Sequence, residues 1–407
     1  MNIAMMALLL STATASAHVH PLEDFDKKPI FADLRDLEAL NIPVLVKDSA
    51  SEVGFAEVTP VMLQQIQERA HSVGKCGGFE DLTHDREFLS QGPQKLLSNL
   101  ANIQQKNEIY SKAPFKLLSL QKSEAIESAL SEVNEDNLRS YVQWLSSFPN
   151  RNNRSAQPNI HVEEMKTRLE AMLASASVPY DISTISHTST KQKSLRVRIP
   201  GTSSDEIIVL GGHLDSINQS WGGGSQAPGA DDNASGSANL IEALRIVMNK
   251  PQPRRTLEFI WYAGEESGLL GSAEIAKQYK AEKQDVVAVL QLDMTLFPGS
   301  GEFVIGNMND FTSAWLRDYL KALNETYLHA RLIDDKCGYG CSDHASWFRQ
   351  GYPTLMPFEA GMRQSNKNIH TSRDVISPEL SFKHSALYTK IAVVFAMDLA
   401  NSEARQP

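Results

Sequence analysis

Four apolar segments, each running directly into polar residues, constrain this chain more than any other feature. They cover residues 207–213, 257–263, 286–294 and 353–359. Almost every position in them is apolar, rather than every second one, so each predicts a strand covered on both faces. Helical periodicity fills the gaps at 239–248, 267–279, 310–328 and 343–351, and two earlier helices are expected at 132–148 and 160–176. Strands of this kind alternating with helices predict an α/β fold: a three-layer sandwich whose central mixed, mostly parallel sheet is covered by helices. Ligands of such sheets bind beyond the carboxyl ends of the strands.

Those ends are where the polar residues fall. The first strand enters Gly211-Gly212-His213-Leu214-Asp215, the second Gly264-Glu265-Glu266, and the third Asp293-Met294. The loop 227–236, with Asp231-Asp232-Asn233, opens the helix after the first strand, and His370 follows the last strand. Taken singly, each has a plain structural explanation: a surface histidine, a helix cap, a solvated pair of glutamates. Together they put imidazole and carboxylate on one rim of one sheet, a donor set suited to zinc or a related divalent metal.

The runs Gly212-His213-Leu214-Asp215, Pro228-Gly229-Ala230-Asp231-Asp232-Asn233-Ala234-Ser235-Gly236 and Ala263-Gly264-Glu265-Glu266-Ser267-Gly268-Leu269-Leu270-Gly271-Ser272 resemble the M28 family of zinc peptidases. Gln291-Leu292-Asp293-Met294 and the stretch 337–347 extend the resemblance, which covers roughly residues 125–400 and is strongest toward secreted bacterial leucine aminopeptidases of the Vibrio (Aeromonas) type. It implies a zinc-peptidase, phosphorylase/hydrolase-like fold and a centre of two zinc ions. Asp231 would bridge the metals, with His213 and Asp293 completing one site and Glu266 and His370 the other. Glu265 would be the general base. Asp232 would shape the turn, and similar enzymes have a cis peptide between the two aspartates.

Around this set, Asp215 is placed to accept the ring N–H of His213 that does not face metal. Ser342 is counted with Asp215 and Asp232 among the residues that support the ligands, and Ser342 and Tyr339 are candidates to reach the substrate or transition-state oxygen. Met294, Ile305, Tyr339, Phe358, Met362 and Ile369 are expected to wall an apolar specificity pocket. A site dense in carboxylates suits the free amine of a peptide, and no arginine lies inside the matching motifs to grip a terminal carboxylate. The expected activity is therefore removal of the N-terminal residue from peptides or proteins, with a leucine-like preference. Alternatives are a preference for basic residues on the same scaffold, a glutaminyl cyclase with one zinc, a glutamate carboxypeptidase, and a binding ectodomain without activity.

The remaining features concern the life of the chain. Residues 5–10 are apolar and lead to Ala15-Ser16-Ala17, a pattern read as a signal peptide over residues 1–17 and hence export. Residues 18–110 are polar and helix-prone, punctuated early by Pro21, Pro29 and Pro43, and carry no cluster of ligands. They are read as a small, mostly helical pro-segment ahead of a catalytic domain at 111–407. Cys337 and Cys341 are close enough to bond, and in an exported chain a disulfide is favoured over a soft-metal site; Cys76 is left over. The net charge of −10 offers no basic footprint for nucleic acid. No later run is long enough to span a bilayer, and the product is expected to be a monomer.

Overall fold

Ile207 and Val209 face one core while their neighbours Ile208 and Leu210 face another, so the first apolar segment is covered on both sides. The fold follows from that requirement. The computed structural model describes residues 27–48, 52–73, 78–83, 86–109, 120, 122–219 and 226–402. The signal-peptide reading and Cys76 lie outside these residues.

The N-terminal part contains β1 (Lys28–Asp33), α1 (Leu34–Ala39), β2 (Val46–Asp48), β3 (Val53–Val58), α2 (Pro60–Ser72), β4 (Phe79–Asp81) and α3 (Arg86–Ile109), which is kinked at Gly92 and Pro93. Its strands form an antiparallel sheet in the order β2-β3-β1-β4. A mostly helical segment was the expectation; helices do cover more of the described residues here than strands, but the sheet was not foreseen. β1 and β3 bury nearly every side chain, so they lack the alternation that marks a strand in a small domain.

The larger part begins with α4 (Glu124–Ser131), α5 (Glu135–Leu145), α6 (Ile160–Leu173), β5 (Asp181–Ile185) and β6 (Ser194–Ile199). Then come β7 (Ser204–His213), α7 (Ala234–Val247), β8 (Arg255–Tyr262), α8 (Leu270–Ala281) and β9 (Val286–Gln291). β10 (Val304–Met308), α9 (Ala314–Leu323), β11 (Arg331–Asp335), α10 (His344–Arg349), β12 (Thr354–Leu355), β13 (Pro357–Phe358) and α11 (Phe382–Asn401) complete it. The central sheet runs β12-β9-β7-β8-β6-β5; its first four strands are parallel, β6 is antiparallel to β8, and β5 is antiparallel to β6. Helices α7 and α11 pack on one face, α8 and α10 on the other, giving the expected sandwich. The segment 353–359 is not one strand: β12 joins the central sheet, Met356 separates the two pieces, and β13 pairs with β10 in a second, three-stranded sheet. No helix among the described residues is long and apolar enough to cross a membrane.

The two parts meet through an apolar contact. Phe31, Val53, Phe55, Leu82, Leu96 and Leu97 pack against Leu269, Phe311, Ala345 and Phe348. Within that contact Glu80 of β4 pairs with Arg349 at the end of α10. Farther out, Lys336 Nζ lies 2.7 Å from Glu52 Oε2.

Candidate metal centre

β7 delivers His213 at its carboxyl end. The strand passes so close to its neighbours that a Cβ on Gly212 would sit 2.7 Å from the carbonyl oxygen of Leu292, which is why glycine precedes the histidine. Nδ1 of His213 lies 3.1 Å from the backbone carbonyl of Asp215, an acceptor, so that nitrogen carries the ring proton. Nε2 is then left facing Oδ1 of Asp232 at 3.0 Å and Oδ1 of Asp293 at 3.3 Å. Held against two carboxylate oxygens, this nitrogen calls for a positive charge between them, carried by a proton or by a metal ion.

A second cluster repeats the pattern. Nε2 of His370 lies 2.9 Å from Oδ2 of Asp232 and 3.1 Å from Oε2 of Glu266. Both clusters, His213–Asp232–Asp293 and Asp232–Glu266–His370, have donor atoms within 4.8 Å of one another and are buried. They share Asp232, one oxygen on each side. Oε1 of Glu266, buried without a hydrogen-bond partner, adds to a donor set that fits divalent cations, and Oε2 of Glu265 is likewise buried and unpartnered.

Asp232 therefore stands where the resemblance had put Asp231. The Asp231 side chain turns the other way: Oδ1 accepts the N–H of Leu296 at 3.0 Å and Oδ2 accepts from Asn366 Nδ2 at 3.0 Å. The cis peptide also falls one bond later, between Asp232 and Asn233. Adjacent residues in a loop point in different directions, and nothing in an Asp-Asp pair says which one faces the metal. The carboxylate of Asp374 holds the pair in place, accepting the N–H of Asp231 and of Asp232 at 3.0 Å each.

Asn233 is a further residue that the sequence reading passed over. Its Oδ1 caps α7 at Gly236 N (2.9 Å) and accepts Met294 N (3.2 Å), while Nδ2 donates to Leu292 O (3.0 Å). The cap of α7 is thereby tied to the end of β9, which brings Asp232 beside Asp293. An asparagine directly before a helix is a recognisable cap, but its second partner is visible only in three dimensions.

Glu265 and Glu266 sit on a 3-10 turn after β8, entered through Gly264 at φ 64°. The Asp215 carboxylate accepts both of their N–H groups, Glu265 N at 3.0 Å and Glu266 N at 3.3 Å. The expected bond from that carboxylate to the His213 ring is correspondingly long, 3.6 Å, and the backbone carbonyl of Asp215 takes over. Ser342 donates to Oδ2 of Asp293 at 2.6 Å and so orients the carboxylate rather than lying open to substrate.

Burial and crowding set the protonation of these groups. Burial drives the Glu265 carboxyl well above the usual range against the pull of His213, and Glu266, Asp343 and Asp293 add to the rise. Glu266 is pushed up to about 7, chiefly by burial. Burial opposes a charge on His213 and His370, yet Asp293 beside the first and Glu266 beside the second carry both well above the ordinary histidine value. Burial also opposes the Asp232 carboxylate, but the two histidines hold its pKa below the usual range.

Beside the metal clusters, Met294, Tyr339, Phe358, Met362 and Ile369 form an apolar group with Met308, Met356 and the Cys337–Cys341 disulfide, whose S–S distance is 2.01 Å. Ile305 is not among them. On β10 it faces the main core, whereas Met308, three residues on and of opposite parity, faces this apolar group. The hydroxyl of Tyr339 accepts the N–H of Gly78, which precedes β4 of the N-terminal part.

A sandwich whose strand ends carry two histidine–carboxylate clusters sharing one aspartate defines a metal-dependent hydrolase. Residues 195–382 match the profile of peptidase family M28. A probable leucine aminopeptidase of Trichophyton verrucosum (strain HKI 0517) is 36% identical over 286 residues, 68% of this chain and 76% of that protein. Leucine aminopeptidase 1 of Pyrenophora teres f. teres (strain 0-1) is 34% identical over 337 residues, 80% of this chain and 82% of its own length. The crystal structure of the Legionella pneumophila LapA aminopeptidase superposes with a TM-score of 0.77 at 27% identity, covering 93% of this chain and 99% of that one. The chain belongs to peptidase family M28 and is a metal-dependent aminopeptidase.

Proposed function

We propose that the protein is an exported, monomeric two-zinc aminopeptidase that removes apolar, leucine-like residues from peptide N-termini. The observation that carries the reading is the division of Asp232 between the His213 and His370 clusters. His213, Asp293 and Asp232 would hold one ion, and His370, Glu266 and Asp232 the other. When bound, zinc lowers the pKa of water and polarises the scissile carbonyl. Glu265, buried and with a free oxygen, takes the proton of the attacking water. The same carboxyl then delivers that proton to the leaving amine. The carboxylates around the site attract the cationic N-terminus of a peptide. The methionine-rich wall at Met294, Met308, Met356 and Met362 accepts unbranched and branched apolar side chains alike, because thioether chains adjust their shape at little cost.

The N-terminal domain is read as a pro-segment that covers this pocket until it is removed. Support comes from the Gly78 N–H on the Tyr339 hydroxyl, in the pocket wall, and from the apolar contact that fixes the domain beside it.

The test measures bound zinc per chain and hydrolysis of leucyl, phenylalanyl, lysyl and arginyl anilides, before and after cleavage between residues 109 and 122. Two zinc ions per chain, fastest release from leucyl or phenylalanyl substrates and a rise on cleavage are expected. One zinc per chain points to cyclase-like chemistry, lysyl preference overturns the apolar pocket, and full activity in the intact chain overturns the pro-segment.

A further inference from the structure

Arg151 is completely buried, and its guanidinium is spent on backbone carbonyls. We infer that Arg151, together with Gln192, is a positioning frame of the metal centre, fixing from outside three of the five segments that carry its ligands. The inference rests on the reading of those loops as a zinc site. Both residues precede the stretch matched by the family profile, 195–382.

Nε of Arg151 donates to Leu214 O at 2.9 Å, directly after His213. Nη1 donates to Pro228 O at 2.5 Å and Nη2 to Gly229 O at 2.9 Å, in the turn that leads into Asp231 and Asp232. Nη1 also reaches Leu145 O at 2.9 Å, which anchors the arginine to the end of α5. The backbone of Arg151 continues the same network. Its N–H donates to Ser216 Oγ at 3.1 Å, and that hydroxyl donates to Ala227 O at 2.7 Å, closing the base of the loop before α7. Its carbonyl accepts from Gln192 Nε2 at 2.9 Å, and Gln192 Oε1 accepts the N–H of Gly264 at 2.9 Å, one residue before Glu265 and Glu266. A single residue thus reaches the loops of His213, of Asp232 and, through one glutamine, of Glu266.

The residue type follows from that task. Only a planar guanidinium offers donors in several fixed directions at once; a lysine ammonium is a compact point charge on a flexible stem. The charge has a role too. Asp374, Asp215, Asp232 and Glu266 are the acids whose field acts on it, and all belong to the metal clusters or to the residues that hold them. With its donors on carbonyls, the arginine offsets the crowding of carboxylates without competing for their metal-facing oxygens.

The experiment compares full-length wild type, R151K, Q192A and, as a control, R255M. Arg255 is also buried, but it bonds Glu206 and the carbonyls of Leu399 and Ser402, which lie away from the metal clusters. Zinc affinity is read by competition with a chromogenic chelator, kcat and KM with leucyl anilide, and stability by thermal melting. R151K is expected to bind zinc about 10–100-fold more weakly, with kcat reduced and KM little changed. Q192A should move in the same direction, and R255M should melt earlier yet bind zinc as wild type does. If R151K does not fold, Q192A decides. Folded R151K and Q192A with wild-type zinc affinity and kcat overturn the inference, as does equal zinc loss in R255M. A wild-type chain that binds no zinc overturns the reading of the site and this inference with it.

Discussion

Nε2 of His370 lies 2.9 Å from Oδ2 of Asp232, bringing the loop after β13 against the loop before α7. His370 holds that position from the left-handed backbone region, at φ 55°, with its carbonyl accepting the N–H of Gln219. The contact makes Asp232, and not its neighbour, the meeting point of the two clusters.

Exchanging the two aspartates separates their roles. Asp232→Asn should abolish paired metal binding and lower kcat/KM by roughly 10³-fold or more, as expected when a member of a catalytic unit is lost. Asp231→Asn keeps one acceptor but sets an NH2 group against the donor of either Leu296 or Asn366, so the melting temperature should fall while bound zinc stays near wild type. Zinc content measured on both variants checks the assignment, and a reversed pattern would restore Asp231 as the bridge.

Glu265→Gln should leave both metals bound and reduce kcat about 10²–10⁴-fold, the usual worth of a positioned general base. Because the Glu265 backbone N–H is held by Asp215, the turn survives the substitution. Metal lost together with activity would make Glu265 a ligand.

Zinc should stabilise the protein more at pH 8 than at pH 5. Buried carboxyls have raised values, Glu266 about 7, Asp343 about 7 and Asp374 about 8, chiefly through burial, against ordinary values of 4.5, 3.8 and 3.8. A raised folded-state value means stability present below the unfolded pKa and lost as pH climbs through the folded one. His213 and His370 are raised as well and lose their contribution in the same direction. Asp232 is lowered, so its contribution is already complete across this window. The metal-stripped protein therefore weakens as pH rises from about 4 to 8, where protons no longer relieve the charge and metal must. Melting temperatures with and without zinc across this range check it; a gap that narrows with pH contradicts it.

Two positions on β10 distinguish core from pocket. Ile305→Val should cost about 0.5–1.5 kcal/mol of stability and leave the substrate ranking unchanged. Met308→Ala should enlarge the pocket and move the preference from leucyl toward phenylalanyl anilide. A changed ranking in the Ile305 variant would return that residue to the pocket wall.

Glu80→Ala should raise the activity of the intact chain severalfold while leaving the cleaved enzyme unaffected. The substitution removes the partner of Arg349 inside the contact between the two parts and loosens the strand that follows Gly78. No rise in the intact chain argues against a covering role for this domain.

The sheet, its order of helices and the rim of polar residues were legible in the chain because unbroken apolar strands must be covered on both faces, and their polar residues are then forced to the ends. His213, Glu265, Glu266, Asp293 and His370 could be named on that ground together with the resemblance. The pair Asp231-Asp232 could not be resolved, since chemically identical neighbours are told apart only by which way each side chain turns. Tertiary structure also decided what lies opposite what. The parity of β10 put Met308 in the apolar group beside the metal clusters and Ile305 in the main core, the split of residues 353–359 built a second sheet, and the N-terminal strands formed a sheet that no alternation announced. Local sequence specifies how a segment can be covered; which atoms meet across the sheet is set by loops that close only when distant partners such as Arg151, Asn233 and Asp374 bind their backbones.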